Sequence, residues 1–408
     1  MKQHRVVITG TGVVTPFGRG VRTMMEGIRE GRSTVRRMDE WGEYKGIKSR
    51  VGAPAEVGDV KHIPRQKRRS MSPMSFFSVF SAEEALAQAG LDVSAIPPER
   101  VGVITGSTLG SAVAINEFFE MVLPHKNVEE VPAMQFFKCM SHSASMNVAQ
   151  YFGLKGYVMA TSAACASGLQ AIGTGYQLLK LGLQDVFLCG GAEELHASVT
   201  GTFDLLYATS TKYNDAPQLT PRPFDRDRDG LVCGEGGGLV VMETLEHAEK
   251  RGAEILAEIT GYETAGSGEH VSQSDTESMM RCMKGALRES GLSPSDIGYI
   301  NAHATATIQG DKAEADAIKE VFGGVTPVSS LKGYMGHTLG ASGAIELIAT
   351  IEMMRSDIIY PGLNLQNVAP DCQGIGHLSG PQEAKLKAVL KNCFAFGGVN
   401  TAMVCVKP

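Results

Sequence analysis

Short β-branched runs that alternate with helical patterns constrain the fold more than any other feature of this sequence. Ten runs predict strands, at residues 5–14, 101–106, 157–161, 185–189, 238–243, 255–261, 297–303, 326–329, 388–394 and 401–406. Helical patterns cover residues 75–89, 166–183, 276–290, 311–322 and 341–355. Strands that alternate with helices are typical of the βαβ units of α/β proteins. The sequence therefore predicts an α/β protein.

The length of the chain predicts more than one structural unit. Its 408 residues exceed the size of roughly 250–300 residues at which a single hydrophobic core usually stops growing. A weak internal echo points to two related halves, because residues 160–179 and 332–351 each run from a loop into a helix that opens on Ala-Ser-Gly. An ancient duplication, with the halves packed about a pseudo-twofold axis, would explain it. Chance similarity is the alternative, since these residues are common.

The composition of the chain limits the kinds of partner that we expect it to bind and the cellular compartment in which we expect it. The formal net charge of −6 and the isoelectric point near 6.0 predict no general attraction to nucleic acid or to a membrane surface. The first residues lack the apolar region of a secretory signal, and no apolar stretch reaches the roughly 18 residues that a membrane span needs. The 8 cysteines are scattered without a Cys-x-x-Cys pair, which favours reduced, mostly buried thiols in a cytoplasmic protein.

One cysteine lies where a predicted strand gives way to a predicted helix. In "VMATSAACASG", residues 158–168, Cys165 is flanked by small residues that leave room for a substrate. A helix N-terminus can lower the pKa of a thiol, and its free N–H groups can bind an oxyanion. Two interpretations stay open on this segment alone: a nucleophile, or a small core residue, which is what a buried free cysteine usually is.

Two histidine segments favour the nucleophile. His303 ends a predicted strand in "NAHATAT", and His337 shares the Gly-flanked loop "SSLKGYMGHTLGASG" with Lys332. A nucleophilic cysteine needs imidazole partners that are distant in sequence and near in space. A single histidine is more often structural, but two in loops rich in Gly and Thr are harder to explain that way.

Six segments carry a resemblance to a known family. They are "VVITGTGVVTPFG", "TSAACASG", "PRPFDRDRDGLVCGEGGG", "NAHATATIQGDKAEADAI", "VSSLKGYMGHTLGASGA" and "NCFAFGGVN". With these motifs in this order, the chain resembles a β-ketoacyl-[acyl-carrier-protein] synthase of the type II elongating class over nearly its full length. The resemblance implies the thiolase fold: two duplicated βαβαβαββ halves in a five-layered αβαβα core. Residues 1–245 would carry the nucleophilic cysteine and residues 246–408 the two histidines.

The resemblance also implies roles for residues at the matching motif positions. Cys165 would accept the acyl group, and His303 and His337 would be the paired histidines. Lys332 would be the structural lysine, and Asp311 and Glu314 the supporting carboxylates. Phe396 would be the aromatic gate, and the hydroxyls of Thr305 and Thr307 would hold the phosphopantetheine arm. The N–H groups of Cys165 and Phe396 would form the oxyanion hole.

The reaction and the partners follow from the same resemblance. An acyl group would move from a carrier-protein thioester onto Cys165, and malonyl carrier protein would lose carbon dioxide and attack it in a decarboxylative Claisen condensation. Substrates would arrive on the phosphopantetheine of acyl carrier protein, with no metal and no further cofactor. A homodimer is the expected assembly, and a heterodimer with a chain-length-factor-like subunit stays open. The product would serve fatty-acid or polyketide biosynthesis, including polyenes.

Two alternatives share this fold. A thiolase would also carry "GHTLGASG" and a second catalytic thiol, for which Cys393 is the candidate, but "CFAFGG" differs from the Cys-x-Gly-Gly-Gly that a thiolase would have. A chain-length-factor-like subunit would keep the fold without catalysis. Such subunits usually lack the nucleophile, so the presence of Cys165 and both histidines favours an enzyme.

Two charged segments admit simpler explanations. "DRDRDGLVCGEG" resembles a calcium loop, but the twelfth position is Gly236 instead of glutamate, which favours an ion-paired structural loop. The basic run "KHIPRQKRRS", residues 61–70, is by default a solvated loop. Beside the family resemblance, it becomes a candidate docking face for an acidic carrier protein, with Arg68, Arg69 and Lys212 steering the encounter.

Overall fold

The chain folds around ten principal strands and seven principal helices. The computed structural model describes residues 3–408. The strands are β1 Val6–Thr15, β2 Val101–Gly106, β3 Val158–Thr161, β4 Val186–Glu193, β5 Gly236–Thr244, β6 Ala257–Gly266, β7 Tyr299–Asn301, β8 Pro327–Ser329, β9 Ala388–Ala395 and β10 Val399–Val406. The helices are α1 Pro73–Ala89, α2 Ser143–Phe152, α3 Ser167–Lys180, α4 Ala197–Leu205, α5 Thr276–Ser290, α6 Ile308–Phe322 and α7 Ser342–Ser356.

The predicted strands and helices are all present, and their ends shift by a few residues. Further helices that the sequence patterns did not predict include α2 and α4, together with Val21–Arg29, Ala112–Val122 and Leu245–Lys250. Several of these are rich in Ser, Thr or Gly, or are too short to show a clear helical period.

The strand order shows the duplication directly. The sheet runs β8-β7-β9-β10-β6-β1-β5-β4-β2-β3, so from the centre outward each half places its first, fifth, fourth, second and third strand. The pairing directions match as well: β2 is parallel to β3 and β4, and β7 is parallel to β8 and β9. The first and fifth strands in each half are antiparallel. The prediction of two duplicated halves is confirmed.

The two halves join in one hydrogen-bonded sheet through a short pairing of β1 with β6, at Val6–Ile8 and Ala257–Ile259. Helices α3 and α7 pack on each other and on strands of both halves, so they form the central layer. Helices α1 and α2 cover the outer face of the first half, and α5 covers that of the second with α6 packed on it. The strands of each half thus form one β layer between the central helices and an outer helical layer. These five layers confirm the predicted αβαβα arrangement.

The two Ala-Ser-Gly segments meet at the pseudo-twofold axis. A Cβ atom on Gly168 would lie 2.6 Å from the carbonyl oxygen of Gly340, and one on Gly343 would lie 2.7 Å from the backbone nitrogen of Leu169. Only glycine permits such close approach of two backbones. The sequence echo therefore marks the place where the starts of α3 and α7 pack together.

Two composition-based predictions can be compared with the structure. All eight cysteines are free thiols, and all but the half-buried Cys139 are buried, as predicted. Across residues 3–408, no helix combines the length and the apolar character that crossing a bilayer would require.

Candidate active site

Three loops bring the predicted nucleophile and both histidines together. Cys165 lies two residues before α3, His303 lies two residues after β7, and His337 lies in the loop before α7. The Cys165 sulfur and one ring nitrogen from each histidine all lie within 4.8 Å of one another. The imidazole rings are edge to face, with centroids 5.2 Å apart. All three side chains are buried.

Each of these loops contains a left-handed backbone turn at a residue other than glycine. The φ angles are 46° at Ala164, 70° at Ala306 and 47° at Leu339. Such conformations cost free energy of order 1–3 kcal/mol and cluster at functional sites. The turn at Ala164 directly precedes Cys165, so it helps to fix the direction of the thiol.

The electrostatic environment of Cys165 differs from the one that the sequence predicted. Burial raises the pKa of the Cys165 thiol well above its usual range, with a smaller contribution from Cys393, while the charge of Lys332 acts in the opposite direction. The lowering that a helix N-terminus can produce does not set the direction of the shift in the resting site. Burial disfavours the charged thiolate, and the net shift is upward. Cys165 therefore rests as a thiol and needs a base.

Both histidines rest as neutral imidazoles. Burial lowers the pKa of His303 and of His337 well below the usual value, and the positive charge of Lys332 lowers both further. His337 Nδ1 lies 2.8 Å from Ser342 Oγ. His337 Nε2 is buried without a hydrogen-bond partner, and the residue lines the cavity that reaches Cys165. A buried, unpartnered imidazole nitrogen is ready to bind a polar group of a ligand.

The two predicted carboxylates support the backbone instead of contacting the reacting atoms. Glu314 accepts hydrogen bonds from the N–H groups of His303 at 2.8 Å and Ala304 at 2.6 Å. Asp311 accepts from the N–H groups of Ala306 at 3.0 Å and Phe224 at 2.7 Å. Together they fix the loop that carries His303, which agrees with a supporting role.

Lys332 belongs to a buried charged group that the sequence patterns missed. Its Nζ donates to Glu346 Oε1 at 2.7 Å. Lys391 Nζ donates to Glu346 Oε2 and, at 2.7 Å, to Asn301 Oδ1. The signal in the sequence was a single charge inside an apolar run, Glu346 in "GAIELIA" and Lys391 in "AVLKNCF".

Two adjoining cavities lie between the thiol and the surface. The inner one is lined by Cys165, both histidines and Phe396. The outer one shares four lining residues with it, Ser274, Thr307, Gly310 and Phe396. The exposed side chains of Leu206, Tyr207 and Ile308 surround this outer cavity. The sulfur therefore lies at the inner end of a channel with an apolar mouth.

Family comparisons agree with this geometry. Residues 3–248 match the family described as "Beta-ketoacyl synthase, N-terminal domain", and residues 256–366 match "Beta-ketoacyl synthase, C-terminal domain". The chain belongs to the β-ketoacyl synthase family.

Similar proteins cover the β-ketoacyl synthase chain from end to end. It is 35% identical to 3-oxoacyl-[acyl-carrier-protein] synthase 1 of Haemophilus influenzae, over 98% of each chain. A crystal structure of a β-ketoacyl synthase from Burkholderia phymatum is 42% identical, with a TM-score of 0.96 over 99% of this chain and 100% of the other. A ketosynthase in complex with a type II PKS acyl-carrier protein is 31% identical, with a TM-score of 0.90 over all of both chains.

Phe396 separates the two cavities of this β-ketoacyl synthase. It lines both of them and stacks on Phe203, with ring centroids 6.0 Å apart. Gly397 and Gly398 follow with φ angles of 84° and 73°. A Cβ atom on Gly398 would lie 2.1 Å from Ser267 Oγ, so this tight turn requires glycine. The position of the aromatic ring agrees with a gate.

The two predicted hydroxyls lie along the channel. Thr305 Oγ1 and Thr307 Oγ1 are 3.2 Å apart. Thr305 lines the inner cavity, and Thr307 lines both. They can therefore contact a polar chain that extends from the mouth towards Cys165.

The three basic residues predicted for docking lie in two places. Lys212 is exposed, and its N–H donates to Asp229, which lines the outer cavity. Arg69 is exposed and Arg68 half-buried, at the end of the short helix Arg65–Arg68. This helix packs on α2, and neither arginine lines the two cavities.

The aspartate-rich loop is ion-paired, as predicted. The Arg222 guanidinium lies 3.1 Å from Asp225, and Asp225 also accepts backbone N–H groups from Gln366 and Asn367. Arg228 lies 3.1 Å from Asp371. These contacts account for the oxygens of Asp225 that a cation would need.

Proposed function

We propose that this chain is a 3-oxoacyl-[acyl-carrier-protein] synthase that joins malonyl carrier protein to an acyl group held on Cys165. One observation carries the proposal: a thiol and two neutral imidazoles meet in a cavity that adjoins a second cavity at the surface. The names of the full-length relatives support the same substrate class.

In the first half-reaction, Cys165 accepts the acyl group. A neutral imidazole of the site takes the thiol proton as sulfur attacks the thioester carbonyl, and that proton leaves with the carrier thiol. The base is necessary because burial raises the pKa of Cys165. The N–H groups of Cys165 and Phe396 hold the oxyanion of the tetrahedral intermediate.

In the second half-reaction, malonyl carrier protein enters the same channel. Its carboxylate leaves as carbon dioxide, and the electron pair moves into the enolate of the thioester. The Nε2–H groups of His303 and His337 donate to the enolate oxygen, at about 3 kcal/mol of transition-state stabilisation per donor. The carbanion then attacks the acyl carbonyl, and the bond to sulfur breaks. The sulfur leaves as a thiolate and takes up a proton from solvent to restore the Cys165 thiol, and β-ketoacyl carrier protein leaves.

The channel suits a substrate carried on a long arm. Thr305 and Thr307 line it and would hold the phosphopantetheine arm by hydrogen bonds. Lys212 beside the mouth, with Arg68 and Arg69, would attract the acidic surface of acyl carrier protein. No further cofactor takes part in this scheme.

The edge strand β3 supports assembly into a homodimer. It ends the strand order of the sheet, and Tyr157, Val158 and Met159 there are 37–43% exposed. An apolar edge strand is a template for pairing with another chain. A second copy pairing through its own β3 would cover these side chains.

We further propose that the boundary between the two halves lies between residues 245 and 246, and that the enzyme works in the cytoplasm.

Intact-mass analysis tests the enzymatic role. The protein is mixed with acyl carrier protein loaded with acyl chains of several lengths, and we expect an acyl adduct on wild type that is absent in Cys165→Ala. Cys139→Ala removes a half-buried thiol elsewhere and should still be acylated. Addition of malonyl carrier protein should then release the adduct as a β-ketoacyl product. A wild type that stays unmodified with every donor would favour the non-catalytic chain-length-factor-like subunit.

A further inference from the structure

A buried group of two lysines and one glutamate lies behind the active site. The Lys332 ammonium donates to both carboxylate oxygens of Glu346, at 2.7 and 3.1 Å, and Lys391 donates to the second of them. All three side chains are at most 2% exposed. Two ammonium groups and one carboxylate leave a net positive charge in a buried region, where charge acts strongly.

The backbone connects this charged group with a second layer, formed by the two imidazoles and the residues that contact them. Two elements each place one residue in the charged group and a second beside an imidazole: Lys391 and Cys393 on β9, and Glu346 and Ser342 on α7. Residues two apart on a strand, or four apart on a helix, share one face. On β7, the last residue Asn301 accepts a hydrogen bond from Lys391 and lies two positions before His303. The two layers are therefore held in register.

The contacts within each layer agree with this arrangement. Asn301 and Lys391 are paired in the sheet, and Lys391 Nζ donates to Asn301 Oδ1 at 2.7 Å. In the layer above, Cys393 Sγ lies 3.7 Å from His303 Nδ1, and His337 Nδ1 lies 2.8 Å from Ser342 Oγ.

The charges around the imidazoles do not cancel. The charged and titratable groups that face them are Lys332, Lys391, Glu346, Glu314, Cys165 and Cys393. Both oxygens of Glu346 are bound to lysines, and Glu314 is bound to the backbone N–H groups of the His303 loop. The charge of Lys391 also lowers the pKa of both histidines, after burial and Lys332 for His337, and after burial, Lys332 and His337 for His303.

We propose that Lys391 is a positioning residue of the condensation site, because it shares Glu346 with Lys332 and so leaves an uncompensated positive charge behind His303 and His337. This inference rests on the proposed function. The charge keeps both imidazoles neutral, so that each presents one N–H and one free nitrogen. It also attracts the negative charge that develops on the thioester oxygen in front of them.

A titration of the imidazoles by ¹⁵N NMR tests the charge without relying on activity. Lys391→Met removes the ammonium and keeps a side chain of similar length, while Lys391→Arg keeps the charge. Lys387→Met is the matched control, because Lys387 is exposed just before the same strand. Resonances are assigned by comparison with His303→Ala and His337→Ala. We expect the midpoints to rise by about one pH unit in Lys391→Met, and to stay at the wild-type position in the other two variants.

The pH profile of malonyl-thioester decarboxylation gives the functional readout. Activity that needs neutral imidazoles is lost as the pH falls through their pKa, so a raised pKa moves the acid limb to higher pH. A folded Lys391→Met with wild-type midpoints in both measurements would overturn the proposal. Should Lys391→Met fail to fold, Lys391→Gln takes its place under the same criteria. Shifted NMR midpoints in a protein whose wild type decarboxylates nothing would support the charge and overturn the proposed function.

Discussion

The thiol of Cys393 donates a hydrogen bond to the carbonyl oxygen of Cys165 across 2.9 Å, although 228 residues separate the two. The same sulfur lies 3.7 Å from His303 Nδ1. A buried side chain of the second half thus fixes the backbone of the nucleophile in the first half. The relative position of sulfur and imidazole depends on this contact between the halves.

Removal of that contact should slow acylation. We expect Cys393→Ala to reduce the rate of acyl transfer onto Cys165 by about fivefold, since one buried hydrogen bond contributes roughly 1 kcal/mol. Cys393→Ser keeps a donor and should recover most of the rate. Single-turnover acylation measured by intact mass checks this. Wild-type rates in the alanine variant would contradict a positioning role for Cys393.

Loss of one imidazole should separate the two half-reactions. We expect His303→Ala still to acquire the acyl group, with His337 remaining as a base, while malonyl decarboxylation falls by about 10²–10³-fold. Carbon dioxide release from malonyl carrier protein measures the second step. His125→Ala, at an exposed position, is the control. Full decarboxylation by His303→Ala would refute the assigned role.

Glu243 should make stability depend on acid pH. Burial alone would raise its pKa, but hydrogen bonds from Arg251, His247 and Thr9 outweigh burial and lower the pKa of Glu243 from 4.5 to about 2. Its contribution, at most about 3 kcal/mol, is therefore present above pH 4.5 and is lost as the pH falls towards 2.

Urea unfolding at several pH values checks this prediction. The free energy of unfolding of wild type should exceed that of Glu243→Gln near pH 7, and the difference should shrink below pH 4.5. Glu249→Gln, at an exposed position on the same helix as His247, should match wild type throughout. A difference that stays constant with pH would rule out this electrostatic account.

Charge on the edge strand should prevent dimer formation. We expect the double variant Val158→Lys, Met159→Lys to sediment as a monomer, because lysines on an edge strand repel a second copy and must be dehydrated on pairing. Leu181→Lys changes another exposed leucine and should leave the sedimentation coefficient unchanged. A dimer that persists in the double variant would place the interface elsewhere.

Reversal of charge at the basic helix should weaken the binding of acyl carrier protein more than it slows the chemical step. We expect Arg69→Glu to raise KM for acyl carrier protein several-fold with kcat nearly unchanged, and the effect to fade at high salt. Lys385→Glu, exposed in the second half, serves as the control. An equal effect of both variants would indicate that net charge alone matters.

The sequence by itself determined the class of fold and the three central residues. Strand and helix periods predicted the ten strands, because local alternation follows from which face is buried. Cys165, His303 and His337 stood out because each lies in a loop of small and hydroxyl residues next to a predicted strand or helix. These signals are local, so they can be detected without knowing which segments meet.

Only the tertiary structure decided what surrounds those residues. Glu346, Lys391 and Cys393 lie in apolar runs that predict ordinary core, and their partners are 14 to 228 residues away. The sign of the Cys165 pKa shift was also unavailable from its helix position, since it depends on loops from both halves that exclude water. Desolvation and charge pairing are properties of three-dimensional packing, whereas the sequence shows only neighbours along the chain.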